Sequence, residues 1–202
     1  MVTPEEPLYT LPTSQFTTPP LVAAKGSVLF TTWKLYRERG WFSRYVDALP
    51  RQYRDNVMST SVADWVPLPH LQAHYDACEA LNLSIDEQIE VGRVVADAVH
   101  GAFLNTLSKM AGKLGISPWI PLAQCNKLWQ RSWQGGAMMV YRCGERSARL
   151  ELWSVAVAQS SFHRVSMRGA TLAGVEPFCG HLDIFEIPEK RTHNSYALKL
   201  VW

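Results

Sequence analysis

The chain's 202 residues suit one domain of ordinary size, and 47% apolar against 19% charged residues exclude a disordered chain. Lys and Arg number 20 against 18 Asp and Glu, a net charge of +2, which lacks the lopsided basic footprint of a nucleic-acid binder. The four cysteines, Cys78, Cys125, Cys143 and Cys179, form no C-x-x-C pair; this excludes a zinc ribbon or redox motif and suits free thiols in a reducing compartment.

Residues 1–24 hold Pro4, Pro7, Pro12, Pro19 and Pro20 and read as an extended arm, because proline removes backbone donors and turns its predecessor away from helix. The segment has acidic Glu5 and Glu6 and no long apolar run, so it is not a signal peptide. No stretch approaches the roughly 18 apolar residues of a membrane span, and the expected location is cytoplasmic. From Lys25 the spacing predicts a helix through Val28, Phe30, Trp33, Leu35 and Tyr36 to a stop at Gly40, then a shorter one from Phe42 to Leu49, ended by Pro50. Asp64-Trp65-Val66-Pro67-Leu68-Pro69 opens the next helix, whose Leu71, Tyr75, Cys78 and Leu81 form an apolar stripe. Ser84 with Glu87 is a capping box, and the long helix it starts runs from Ile85 to about Leu114, ending at Gly115. Ser117-Pro118 opens a further helix carrying Leu122, Cys125, Leu128, Trp129 and Trp133, up to Gly135-Gly136.

After the glycine pair the apolar period becomes two. Ala137 to Cys143 and Ala148 to Val155 form a hairpin around the polar turn 144–147. Helical spacing returns at Phe162, Val165, Gly169, Leu172 and Val175, with Gly169 marking a close helix contact. A second hairpin pairs Leu182 to Ile187 with the alternating Tyr196, Leu198, Leu200 and Trp202. Residues 25–202 are therefore expected as one α+β domain, an N-terminal helical bundle followed by a ββαββ unit with an antiparallel sheet.

That order, with Arg168-Gly169-Ala170-Thr171-Leu172-Ala173-Gly174 and Phe178-Cys179-Gly180 before the last hairpin, resembles the superfamily of TRAPP-subunit-like proteins, four-vinyl-reductase domains and heme nitric-oxide-binding domains. Gly40-Trp41-Phe42, Ala77-Cys78, Ser117-Pro118-Trp119 and the terminal Trp202 resemble a myxobacterial paralogous protein family, from which no activity carries over. The superfamily resemblance implies a ligand-binding, sensing or scaffolding domain. In its heme-binding members it implies a proximal histidine on the helix before the first hairpin, where His100 stands here, and a Tyr-x-Ser-x-Arg motif that holds the propionates. The matching stretch here is Ala156-Val157-Ala158-Gln159-Ser160, without the tyrosine or the arginine, and two carboxylates buried without donors are costly. No cofactor is expected.

Other candidate sites meet plainer alternatives. His70, His74 and Cys78 share a helix face at four-residue steps, but structural zinc needs a fourth ligand, so no metal is expected. Trp129, Arg131 and Trp133 form the first interface or pocket candidate, with core packing as the alternative. On the last helix Phe162 leads an apolar face, while His163, Arg164 and Arg168 form a polar one. The two arginines, one turn apart, suit an anionic group or neighbouring carboxylates. No G-x-S-x-G elbow, Walker loop or H-E-x-x-H motif is present, so nothing names a catalytic residue. The leading expectation is a non-catalytic sensing or adaptor domain that binds a protein partner, with a homodimer as one form. The alternative is a small-molecule or lipid-binding domain with an apolar pocket between helices and sheet near Trp129 and Phe162, and an enzyme of unknown class stands third.

Overall fold

The computed structural model describes residues 5–114 and 117–202, so the expected stop at Gly115 lies outside the described residues. Helices and antiparallel strands mix as expected. Strands are not confined to the last third, however, because three of them lie before residue 70.

The first helix, α1 (Gly26–Glu38), ends where Gly40 takes a positive φ of 72°. The amide of Trp41 then donates to the Tyr36 carbonyl (2.8 Å) and that of Gly40 to Arg37 (3.3 Å), a Schellman close that only glycine adopts without strain. Next come α2 (Phe42–Ala48) and α3 (Arg51–Met58), of which the second is unexpected. Its polar sequence buries only Val57 and carries little apolar pattern.

The stretch around Trp65 is not the start of a helix. Trp65–Pro67 forms a strand, β3, and α4 (Leu68–Ala80) begins only after it. Pro67 at the cap and Pro69 in the first turn need no donors there. The long α5 (Ile85–Leu114) starts with the expected capping box: Ser84 Oγ accepts from the Glu87 amide (3.3 Å), and Glu87 accepts from the Ser84 amide (2.7 Å). The helix expected after Ser117 is two, α6 (Trp119–Leu122) and α7 (Cys125–Ser132), and Trp133 already lies in a strand.

The main sheet has the order β1-β5-β6-β8-β7, all antiparallel. Its strands are β1 (Glu6–Pro7), β5 (Ala137–Gly144), β6 (Ser147–Trp153), β7 (Asp183–Glu186) and β8 (Tyr196–Val201). Within the first hairpin Gly144 pairs with Ser147, leaving a two-residue loop. Ala148, Leu150 and Leu152 face the helices, opposite Leu200, Leu198 and Tyr196 of β8. The other face of β6 is also buried and is polar. Glu151 there accepts from Arg149 Nε (2.8 Å) and Trp153 Nε1 (2.9 Å), and Arg149 also pairs with Glu5.

The arm is thus tied to the body. Pro7 pairs with Tyr141, the Tyr9 hydroxyl donates to the Met138 carbonyl (2.8 Å), and Leu21 is buried. A second sheet, β3-β2-β4, joins β2 (Ala23–Lys25) to Trp65–Pro67 and to β4 (Trp133–Gln134). Among the described residues no helix is long and apolar enough to cross a membrane.

Helix α8 (Ser161–Val175) lies between the sheet and α5. Ser160 caps it, accepting from the His163 amide (3.2 Å). Glu79 of α4 reinforces the cap by accepting from the Phe162 amide (3.2 Å) and the Ser160 hydroxyl (2.9 Å). The expected close contact at Gly169 is present against α5, and Gly92 of α5 makes a second: a Cβ at Gly169 meets the Ile89 carbonyl oxygen at 1.9 Å, and one at Gly92 meets that of Ser166 at 1.7 Å.

Candidate functional site

Beyond this backbone contact α5, α8, α7 and the sheet line a half-open cavity of about 120 Å³. From α5 it takes Val95, Ala96, Val99, His100 and Leu104, and from α8 Met167, Ala170, Thr171, Gly174 and Val175. Leu128, Trp129 and Ser132 close one side, and Trp133, Met138 and Leu150 form the floor. The rings of Trp129 and Trp133 stack with centroids 4.7 Å apart and planes 8° from parallel, while Trp129 Nε1 donates to the Gly135 carbonyl (3.0 Å).

Few polar groups face this space. Thr171 Oγ1 donates back to the Met167 carbonyl (2.8 Å) and is satisfied within its own helix. His100 Nε2 stands 3.4 Å from Ser132 Oγ, and burial together with the charge of Arg131 pushes its imidazole down to about 4, so the ring is neutral near pH 7. That distance is long for a hydrogen bond involving a hydroxyl, and among the described residues no carboxylate bonds the ring to orient it. The pair therefore lacks the geometry of an activated nucleophile. Cys125 also lines the cavity, but burial pushes its thiol up to about 12, leaving no reactive thiolate.

A second, smaller cavity of about 50 Å³ adjoins the first, and Val28, Val95, Trp133, Met167 and Ala170 line both. Phe162, Tyr75, His74 and His163 belong to its wall. His163 does not stand on a polar face as the sequence suggested. It is 1% exposed, and its ring meets Tyr75, Trp133 and Tyr196 edge to face. The helix is rotated from the expected stripe, so Met167 and Thr171 are buried while Val165 and Leu172 are only half-buried. The signal was present: His163, Met167, Ala170 and Gly174 recur at helical steps of four and three.

The other sequence candidates are dispersed. Trp129 and Trp133 line the larger cavity, and Phe162 with Trp133 lines the smaller. Arg131 lies over the Phe103 ring at 5.3 Å. Arg164 meets Glu186 (3.2 Å) and the carbonyls of Ala158 (2.7 Å) and Gln159 (2.8 Å), and Arg168 has a buried Nε without a partner among the described residues. His74 Nδ1 is bonded to the Tyr45 hydroxyl (2.8 Å), Cys78 accepts from Tyr36 (3.2 Å), and the His70 ring lies tilted against Tyr53; among the described residues no set of three metal-ligating side chains comes together.

No family model and no curated protein matches the chain. Solved structures of H-NOX domains share its fold. An Fe(II) unliganded H-NOX variant from K. algicida, 10% identical, covers 88% of this chain and 95% of its own at a TM-score of 0.64. An oxygen-binding H-NOX domain related to soluble guanylate cyclases, 12% identical, covers 87% and 92% at 0.52. A structure described by heme distortion in the H-NOX family, 11% identical, covers 88% and 94% at 0.55. At such identities the likeness concerns the fold alone.

The residues present do not fit a heme. A cavity of about 120 Å³ is comparable to the roughly 150 Å³ that holds a benzene-sized guest, and far below a macrocycle. The stacked Trp129 and Trp133 form part of its wall, no arginine or lysine lines it among the described residues, and 156–159 form a 3-10 turn with Val157 and Ala158 buried. Only His100 matches the expectation, and Ser132 stands against its Nε2.

Proposed function

We propose that this chain is a non-catalytic sensing domain that binds a small, uncharged apolar molecule between α5, α7, α8 and the sheet. The observation that supports it is the cavity itself: about 120 Å³, lined by aliphatic and indole side chains, with its few polar atoms satisfied or neutral. Tightly packed interiors rarely leave such a space, and an apolar pocket with few polar groups favours apolar guests over water. The sequence placed partner binding first. The cavity reverses that order and favours the ligand-binding alternative.

The test is calorimetric titration with p-xylene, accompanied by thermal unfolding. Saturable binding with one site per chain is expected, and at a hundredfold excess over Kd the guest adds about 2.7 kcal/mol of stability. No binding heat and an unchanged Tm at the solubility limit of p-xylene reject the proposal.

A further inference from the structure

Deepening that proposal and resting on it, we infer that the molecule carries one hydroxyl and that His163 in the smaller cavity receives it. Three polar side chains in that wall have protein partners. Thr32 Oγ1 donates to the Val28 carbonyl (3.0 Å), Ser166 Oγ to the His163 carbonyl (3.0 Å), and His74 Nδ1 is engaged by Tyr45 (2.8 Å). His163 differs. Its Nδ1 lies 3.3 Å from the Tyr196 hydroxyl, and its Nε2 is buried with no hydrogen-bond partner among the described residues.

A buried polar nitrogen without a partner costs about 1–3 kcal/mol, a cost that a suitable group on a ligand removes. The contact with Tyr196 permits either tautomer, so Nε2 is either donor or acceptor. A hydroxyl serves both, because it donates one bond and accepts two. Val28, Val95, Trp133, Met167 and Ala170 line both cavities, so the two spaces adjoin, and the inferred molecule has its apolar body in the larger and its polar end in the smaller. No lysine or arginine lines either space among the described residues, which disfavours a carboxylate or phosphate. The class is thus an apolar alcohol or phenol with about one ring's bulk.

The test compares p-cresol with p-xylene, molecules of nearly one shape that differ by a hydroxyl for a methyl. p-Xylene is the more hydrophobic, and a site without a polar partner takes it more tightly. The expected result is p-cresol binding at least about tenfold more tightly, a gain of about 1.4 kcal/mol, with His163→Phe lowering that ratio at least about tenfold. In imidazole-labelled protein the 15N signal of His163 Nε2 moves with p-cresol and not with p-xylene, a readout that needs no variant. p-Xylene binding as tightly as p-cresol, or a preference that survives His163→Phe, overturns the hydroxyl assignment and leaves the apolar cavity standing. Absence of p-xylene binding overturns the proposed function and this assignment with it.

Discussion

Gly169 of α8 lies so near Ile89 of α5 that a Cβ on the glycine stands 1.9 Å from the Ile89 carbonyl oxygen and 3.0 Å from the Arg93 amide nitrogen. Backbone, unlike a side-chain tip, has nowhere to move, so Gly169→Ala forces the two helices apart along the wall of both cavities. A destabilisation of at least about 2 kcal/mol is expected in urea unfolding, at the upper end of overpacking effects. Gly101, also in α5, has nothing of the described residues within 4 Å of an added Cβ. Gly101→Ala gains helix propensity and is expected to stabilise by about 0.5–1 kcal/mol. Equal effects from the two substitutions contradict the close contact.

The buried histidines tie stability to pH. Burial pushes His74 down to about 3, and burial with the Arg164 charge does the same to His163, against about 6.5 in an unfolded chain. Between these values the unfolded state binds the extra protons, so stability falls as pH falls from about 6.5 toward 3. Each histidine contributes up to about 1.4 kcal/mol per pH unit in that window. Urea midpoints at pH 7.5, 6 and 5 measure the slope, and His163→Phe removes one proton's share of it. A slope unchanged in that variant means that His163 is already protonated in the fold or exposed.

Local chemistry made much of this structure legible. The stop at Gly40, the Ser84 and Glu87 cap, and the hairpin around Glu145 and Arg146 each depend on a few neighbouring residues, and each stands where the sequence places it. Long-range pairing was not legible. Trp65–Pro67 is a strand only because Ala23–Lys25 arrives beside it, and nothing local distinguishes that stretch from a helix start. The cavity lay partly in view through Trp129, Trp133 and Phe162. His163 was hidden by its polarity: a histidine beside two arginines reads as surface until the rotation of α8 around the Gly169 contact is known.

Glu79 tests how firmly α8 is anchored at the end that carries His163. Burial raises its carboxyl, but hydrogen bonds from Ser160, Phe162 and Ser161 outweigh that and hold it below its ordinary value. Glu79→Ala removes the acceptor for the first turn of α8, and Ser160 alone then caps it. A loss of about 1–2 kcal/mol is expected in urea unfolding, with hydrogen-exchange protection falling first at 162–166. Protection falling evenly along the helix contradicts a local cap.

Gly174 separates filling the cavity from damaging the fold. It lines the cavity from the last turn of α8, and among the described residues the nearest atom to an added Cβ is Leu104 Cδ2, 4.0 Å away. Its φ is not positive, so a larger side chain meets no backbone strain. Gly174→Leu is expected to place apolar atoms in the space a guest occupies, to gain helix propensity, and to raise stability by about 1 kcal/mol without ligand. The same variant abolishes the thermal shift with p-xylene, so the wild type and the variant approach each other in Tm as the guest is added. A variant that is destabilised means the cavity is narrower than its walls imply, and one that is stabilised but still binds p-xylene places the guest elsewhere.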